Sequence, residues 1–155
     1  MKTAQQWFDE YGHSHKNSIN KAIHWLAVPV IYFCVLGLLW QIPMPFTTFA
    51  EQEVTWSLII AGPILLFYFN LSFSLGVGMT LFTALCVMML RWYQQSFTLD
   101  VWVMSLIVFV VMWVLQFIGH KIEGKKPSFF QDVQFLLIGP AWLLGFIYRR
   151  FNINY

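Results

Sequence analysis

Residues 54–90 read VTWSLIIAGPILLFYFNLSFSLGVGMTLFTALCVMML, a run of 37 residues without Asp, Glu, Lys or Arg, bounded by Glu53 and Arg91. Wound as one helix, that run would be roughly 55 Å long, whereas about 20 residues cross the hydrocarbon core of a bilayer. One crossing is too short for it and two fit, with the break at the polar Asn70-Leu71-Ser72-Phe73-Ser74. The stretch predicts a pair of membrane helices over about 54–70 and 73–91.

The rest of the chain follows the same logic. The 29 uncharged residues between Lys21 and Glu51 hold a span over about 22–40, closed by the helix-breaking Gln41-Ile42-Pro43-Met44-Pro45. The 20 residues between Asp100 and Lys121 hold another, over about 101–119. The last apolar segment, 133–148, has only 16 residues and contains Gly139-Pro140. It is read as a fifth helix, with re-entry as the alternative to crossing. Before the first span, Ala4, Trp7, Phe8 and Tyr11 share one helical face and predict a short interfacial helix ended by Gly12. Asn17 is placed to cap the first span. The expected fold is an all-α, polytopic membrane helix bundle: one domain over 1–155, four to five spans and an N-terminal interfacial helix.

Composition supports a bilayer. Of 155 residues, 59% are hydrophobic and 10% charged, against about 45–50% and about 25% in ordinary globular chains. The net charge of +2, with no long basic run, does not indicate nucleic acid as a partner. Cys34 and Cys86 lie in apolar stretches and read as small core residues. The first 21 residues are mostly polar, so insertion is expected to rely on the first span rather than on a cleavable signal peptide. Lys2, Lys16 and Lys21 precede the first span, and Lys121, Lys125 and Lys126 follow the fourth. Four crossings bring all six to one face, read as cytoplasmic. Arg149 and Arg150 join that face only if the last segment does not cross.

The polar residues that remain are few and gathered. His13, His15 and His24 lie at the mouth of the first span, and His120 ends the fourth on the same face. Imidazoles converging at a dry boundary suit a transition metal, although interfacial histidines also snorkel to water. If Gly12 breaks the helix, His13 and His15 form a loop pair and either reaches the site. Gln116, one turn inside the membrane, needs a polar partner. Glu123 sits at i+3 from His120, where it could add a ligand. Apart from Arg91 at the end of the third, no acidic or basic residue lies within spans two to four, which disfavours a proton-coupled transporter. Four histidines are too few for a di-iron histidine-box site. Phosphate-binding and nucleophile-elbow motifs are absent.

Two stretches resemble the motifs of a known family: Tyr11…His15-x-Asn17-x-x-Asn20-x-x-x-His24…Val28-Pro29, and Gln116-Phe117-Ile118-Gly119-His120…Glu123…Pro127 followed by Gly139-Pro140. They are similar to the 2-hydroxy fatty acid dioxygenases of fatty-acid α-oxidation. The resemblance implies an Fe2+-dependent enzyme that uses O2 to shorten a 2-hydroxy fatty acid by one carbon. The expected location is the bacterial inner membrane, with the histidines on the face that the lysines mark as cytoplasmic. By position, the metal ligands implied are His15, His24 and His120, with His13 ranked below them because it does not match the pattern. Glu123 is implied to hold a ligand rather than to bind the metal, the variant with His24, His120 and Glu123 as ligands staying open. Asn17, Asn20 and Gln116 are candidates to orient ligands or oxygen, and Lys21 or Lys125 to pair with the substrate carboxylate. The acyl chain would enter sideways from membrane lipid. The rival reading is a non-enzymatic lipid-binding or assembly protein of the membrane.

Overall fold

The computed structural model describes residues 2–44, 48–49, 52–124 and 129–155. Among them are six helices: α1 (Ala4–Gly12), α2 (Ser18–Trp40), α3 (Trp56–Leu71), α4 (Phe73–Ser96), α5 (Val101–Glu123) and α6 (Phe129–Arg150). Two-residue strands β1 (Thr48–Phe49) and β2 (Gln52–Glu53) pair antiparallel in the α2–α3 connection. The fold is an all-helical bundle.

Helices α2, α4 and α5 are long and apolar enough to cross a membrane, and α3 is a shorter apolar helix of 16 residues. Their outer faces carry exposed Leu66, Phe73, Leu81, Met88, Trp92 and Ile107. An apolar surface of that extent is stable against lipid rather than water. The expected break in the 37-residue run is a single residue, Ser72, whose extended backbone (φ −168°, ψ 141°) ends α3 and begins α4. The helices run past the expected span limits because the winding continues through Lys21, Arg91 and Lys121, charges that mark the membrane boundary without ending a helix.

Local signals set the helix ends. Thr3 and Gln6 form a reciprocal capping box on α1, and Gly12 closes that helix. Asn17 Oδ1 accepts from the Ile19 N–H at 2.9 Å and caps α2. Gly124, at φ 74°, ends α5 in the left-handed conformation, its N–H reaching the His120 and Lys121 carbonyls.

Helices α2 and α5 form the most extensive pair. They run antiparallel and touch closely at both ends. A Cβ on Gly37 would strike Ser105, and one on Gly119 would strike Asn20 Oδ1. Small residues at such crossings let membrane helices approach closely enough for dispersion to hold them. At the end away from α1, Trp40 Nε1 donates to Gln94 Oε1 at 2.7 Å.

Helix α6 lies across one end of this bundle. Tyr68, near the end of α3, donates its hydroxyl to the Leu137 carbonyl at 2.6 Å. Tyr148 donates to the carbonyl of Ser74, at the start of α4, at 2.6 Å. Some 17 Å of helix between Leu137 and Tyr148 therefore stays against the α3–α4 turn. Helix α1 packs over α6, with Phe8 against Gly145 and Tyr155.

Candidate metal centre

The histidines meet beneath α1 and α6. Residues 13–17 lead from α1 into α2 and place His15 over the first turns of α2, where His24 projects one and a half turns in. His120 reaches them from the last turn of α5. One ligand atom from each of His15, His24 and His120 lies within 4.8 Å of the others. All three rings are buried, at 3%, 1% and 7% exposure. Ring planes are inclined by 65–78° to one another, so the rings converge rather than stack. Between them is a cavity of about 20 Å³, also lined by Tyr11, Val28, Gln116, Phe135 and Leu136. That is room for a small ion or one water, and far too little for an acyl chain.

Backbone carbonyls aim two of the rings. His15 Nδ1 lies 2.7 Å from the Tyr11 carbonyl, and His24 Nδ1 lies 2.9 Å from the Asn20 carbonyl. A carbonyl accepts only, so each Nδ1 carries the proton and donates it. Each Nε2 then keeps its lone pair for the interior, as in metal-ligating histidines. Tyr11 also stacks on His15, with centroids 4.1 Å apart and planes inclined by 14°. Trp142 packs against both Tyr11 and His15.

Glu123 ties the segment that carries His15 to α5. Its carboxylate accepts from the Lys16 N–H at 2.8 Å, the Asn17 N–H at 2.9 Å and Asn20 Nδ2 at 3.0 Å. The anion thereby fills otherwise orphaned donors at the N-terminus of α2, where negative charge is favoured. Asn20 Nδ2 also donates to the Ser14 carbonyl at 3.2 Å. Gly119 makes this possible, since only a residue without a Cβ leaves space for the Asn20 amide against α5.

Among the described residues, the group placed to hold a metal ion comprises the three buried histidines, without Glu123 or His13. His13 is exposed and lines an outer mouth beside His15, together with Lys21. Asn17 serves as helix cap and Asn20 as brace, while Gln116 lines the histidine cavity one turn before His120. Lys125 lies outside the described residues. Tyr11 was not among the site residues expected from sequence. Its position four residues before His15, at the end of an amphipathic helix, was the available signal. The donor set fits a metal: three buried imidazoles, two with the tautomer fixed, around an ion-sized void.

A family model described as 2-hydroxy-palmitic acid dioxygenase Mpo1-like matches residues 1–151, a span that contains every residue of this centre. No curated protein and no solved structure matches the chain. With that match over nearly its whole length, the chain belongs to the Mpo1-like family.

Proposed function

We propose that the protein is an Fe2+-dependent dioxygenase that shortens 2-hydroxy fatty acids by one carbon, embedded in the bacterial inner membrane with its histidines toward the cytoplasm. The observation that carries this reading is the buried triad His15, His24 and His120 in a chain whose family description names a dioxygenase. When bound, iron(II) would supply a Lewis-acid position for the α-hydroxy carboxylate and the electrons that activate O2.

The protein's own groups prepare that chemistry. The Tyr11 and Asn20 carbonyls hold the Nδ1 protons of His15 and His24, which keeps both rings in ligating orientation. Glu123 is a positioning residue that clamps the 13–17 segment to α5. Asn17 and Asn20 serve the same clamp from α2. Gln116 presents an amide to the cavity, where it can donate to oxygen or to the substrate hydroxyl. Tyr11 and Trp142 pack on His15 and leave its ring 3% exposed. Lys21, at the mouth, offers a cation to the substrate carboxylate, the role also proposed for Lys125.

The test is metal analysis of protein prepared anaerobically in iron-replete medium, then mass spectrometry after incubation with a 2-hydroxy fatty acid and O2. One iron per chain and an acid one carbon shorter are expected, with both lost in His24→Ala and His120→Ala while membrane insertion persists. Wild-type protein free of metal would overturn the reading in favour of a non-enzymatic lipid-binding role.

A further inference from the structure

The void among the three histidines cannot hold a substrate, so the substrate must dock beside it. A cavity of about 640 Å³ opens against His15, between α1 and the end of α6. Its charged side chains are Lys21, Arg149 and one carboxylate, Asp9, which accepts from Gln5 Nε2 at 2.7 Å. Among the described residues, no carboxylate lies within ion-pair distance of Lys21 or Arg149. The Arg149 guanidinium sits 4.5 Å from the Phe146 ring centroid and donates to the Tyr155 hydroxyl. Stacked and tethered in this way, a planar fork is pre-organised for a carboxylate.

A separate apolar cleft of about 150 Å³ lies between α2, α4 and α6, lined by Trp25, Pro29, Phe82, Pro140 and Leu144 among others. On α2, Lys21 at the mouth and Trp25 and Pro29 at the cleft stand at i, i+4 and i+8, a single helical stripe. The Trp25 ring, on the cleft, packs against the Phe146 ring, on the mouth, with centroids 6.2 Å apart. A cationic mouth beside the histidine centre, with an apolar cleft close by, matches a molecule with an anionic head and a long alkyl chain.

We infer that Arg149, acting with Lys21, docks the carboxylate of the acyl substrate, and that the Trp25–Pro29–Pro140–Leu144 cleft receives its chain. This inference rests on the function proposed above and makes Arg149 a specificity-determining residue. It discriminates acids from esters and alcohols of the same length.

The test uses the full chain in nanodiscs of neutral phosphatidylcholine. Binding of 2-hydroxypalmitic acid and of its methyl ester is followed by tryptophan fluorescence, without metal and without O2. Arg149→Gln is expected to weaken binding of the acid at least tenfold, and Arg149→Lys to restore part of it. Arg150→Gln, one residue on and outside the mouth, should leave acid binding unchanged, and the ester should bind equally to the wild type and the three arginine variants. Leu144→Trp, which fills the cleft, should weaken long-chain acids more than eight-carbon ones.

In turnover, Arg149→Gln should raise KM at least tenfold with kcat and metal content kept. An active wild type whose KM and acid binding ignore Arg149→Gln would overturn this inference and leave the proposed function standing. An inactive, metal-free wild type that binds the acid in an Arg149-dependent way would do the reverse. Competition by phosphatidylglycerol, without Arg149-dependent binding of the acid, would assign the mouth to lipid phosphate and also overturn it.

Discussion

Removing the Glu123 carboxylate tests whether that group holds the metal centre from outside or belongs to it. Its Oε1 accepts from Lys16 N–H, and its Oε2 accepts from Asn17 N–H and Asn20 Nδ2. A hydrogen bond to a charged acceptor contributes about 1.5–3 kcal/mol, less where water can replace it. The Lys16 bond is exposed, and the other two are partly buried. Glu123→Ala should therefore cost about 2–4 kcal/mol of stability, mostly from those two. Glu123→Gln can turn its carbonyl to Asn17 and Asn20 and sacrifice only the Lys16 bond. Its two remaining bonds lose charge assistance, so the cost falls to about 1–2 kcal/mol. Both changes leave three imidazoles and their carbonyl partners in place, so metal affinity should fall by no more than the roughly 10–100-fold typical of groups bonded directly to a ligand. The assays are thermal unfolding in detergent and metal titration of the stripped protein. If Glu123→Gln abolishes binding as completely as His24→Ala while the protein remains folded, the carboxylate is a ligand and the clamp argument fails.

Gly119→Ala should cost about 1–3 kcal/mol through overpacking against Asn20 and also weaken metal binding, seen by the same two assays. Gly37→Ala, which meets Ser105 and Leu90 away from the centre, should lower the unfolding temperature with metal affinity unchanged, and a matching loss of affinity would show that the helix pair does not insulate its two ends. Reporters fused before Met1 and after Tyr155 should lie on the same side of the membrane, because α6 stays against the α3–α4 turn at both ends, and opposite sides would refute that course for α6. Tyr11→Leu should loosen the cover on His15 and speed metal release to a chelator, with the wild-type rate counting against a covering role.

The spans were legible because charge is so scarce that each Lys or Glu marks a boundary, and because Asn70–Ser74 interrupts an otherwise apolar run. The Asn17 cap and the meeting of His24 with His120 followed from helix spacing and crossing number alone. The choice between His13 and His15 was open on spacing, since the path of 13–17 is set by hydrogen bonds to Glu123, more than 100 residues away. The course of α6 was equally hidden. Sixteen apolar residues around Gly139-Pro140 have the same composition whether they cross a bilayer or lie against helix ends. The Tyr68 and Tyr148 bonds to distant carbonyls, which hold α6 against the α3–α4 turn, carry no local sequence signal. Trp142 and Arg149 belong to that helix and went unnoticed as site residues for the same reason.

The clamp between Glu123 and the segment before α2 also sets an order of events during synthesis. His15 and His24 leave the ribosome early, and 96 residues separate His24 from His120. At about 5–20 residues per second, the first two histidines wait on the order of 5–20 s for the third. Until α5 is complete and Gly124 has ended it, the loop bearing His15 lacks its Glu123 clamp and the third imidazole is missing. Capture of the proposed metal at this centre would therefore be a late step, reporting that α2 and α5 have found each other.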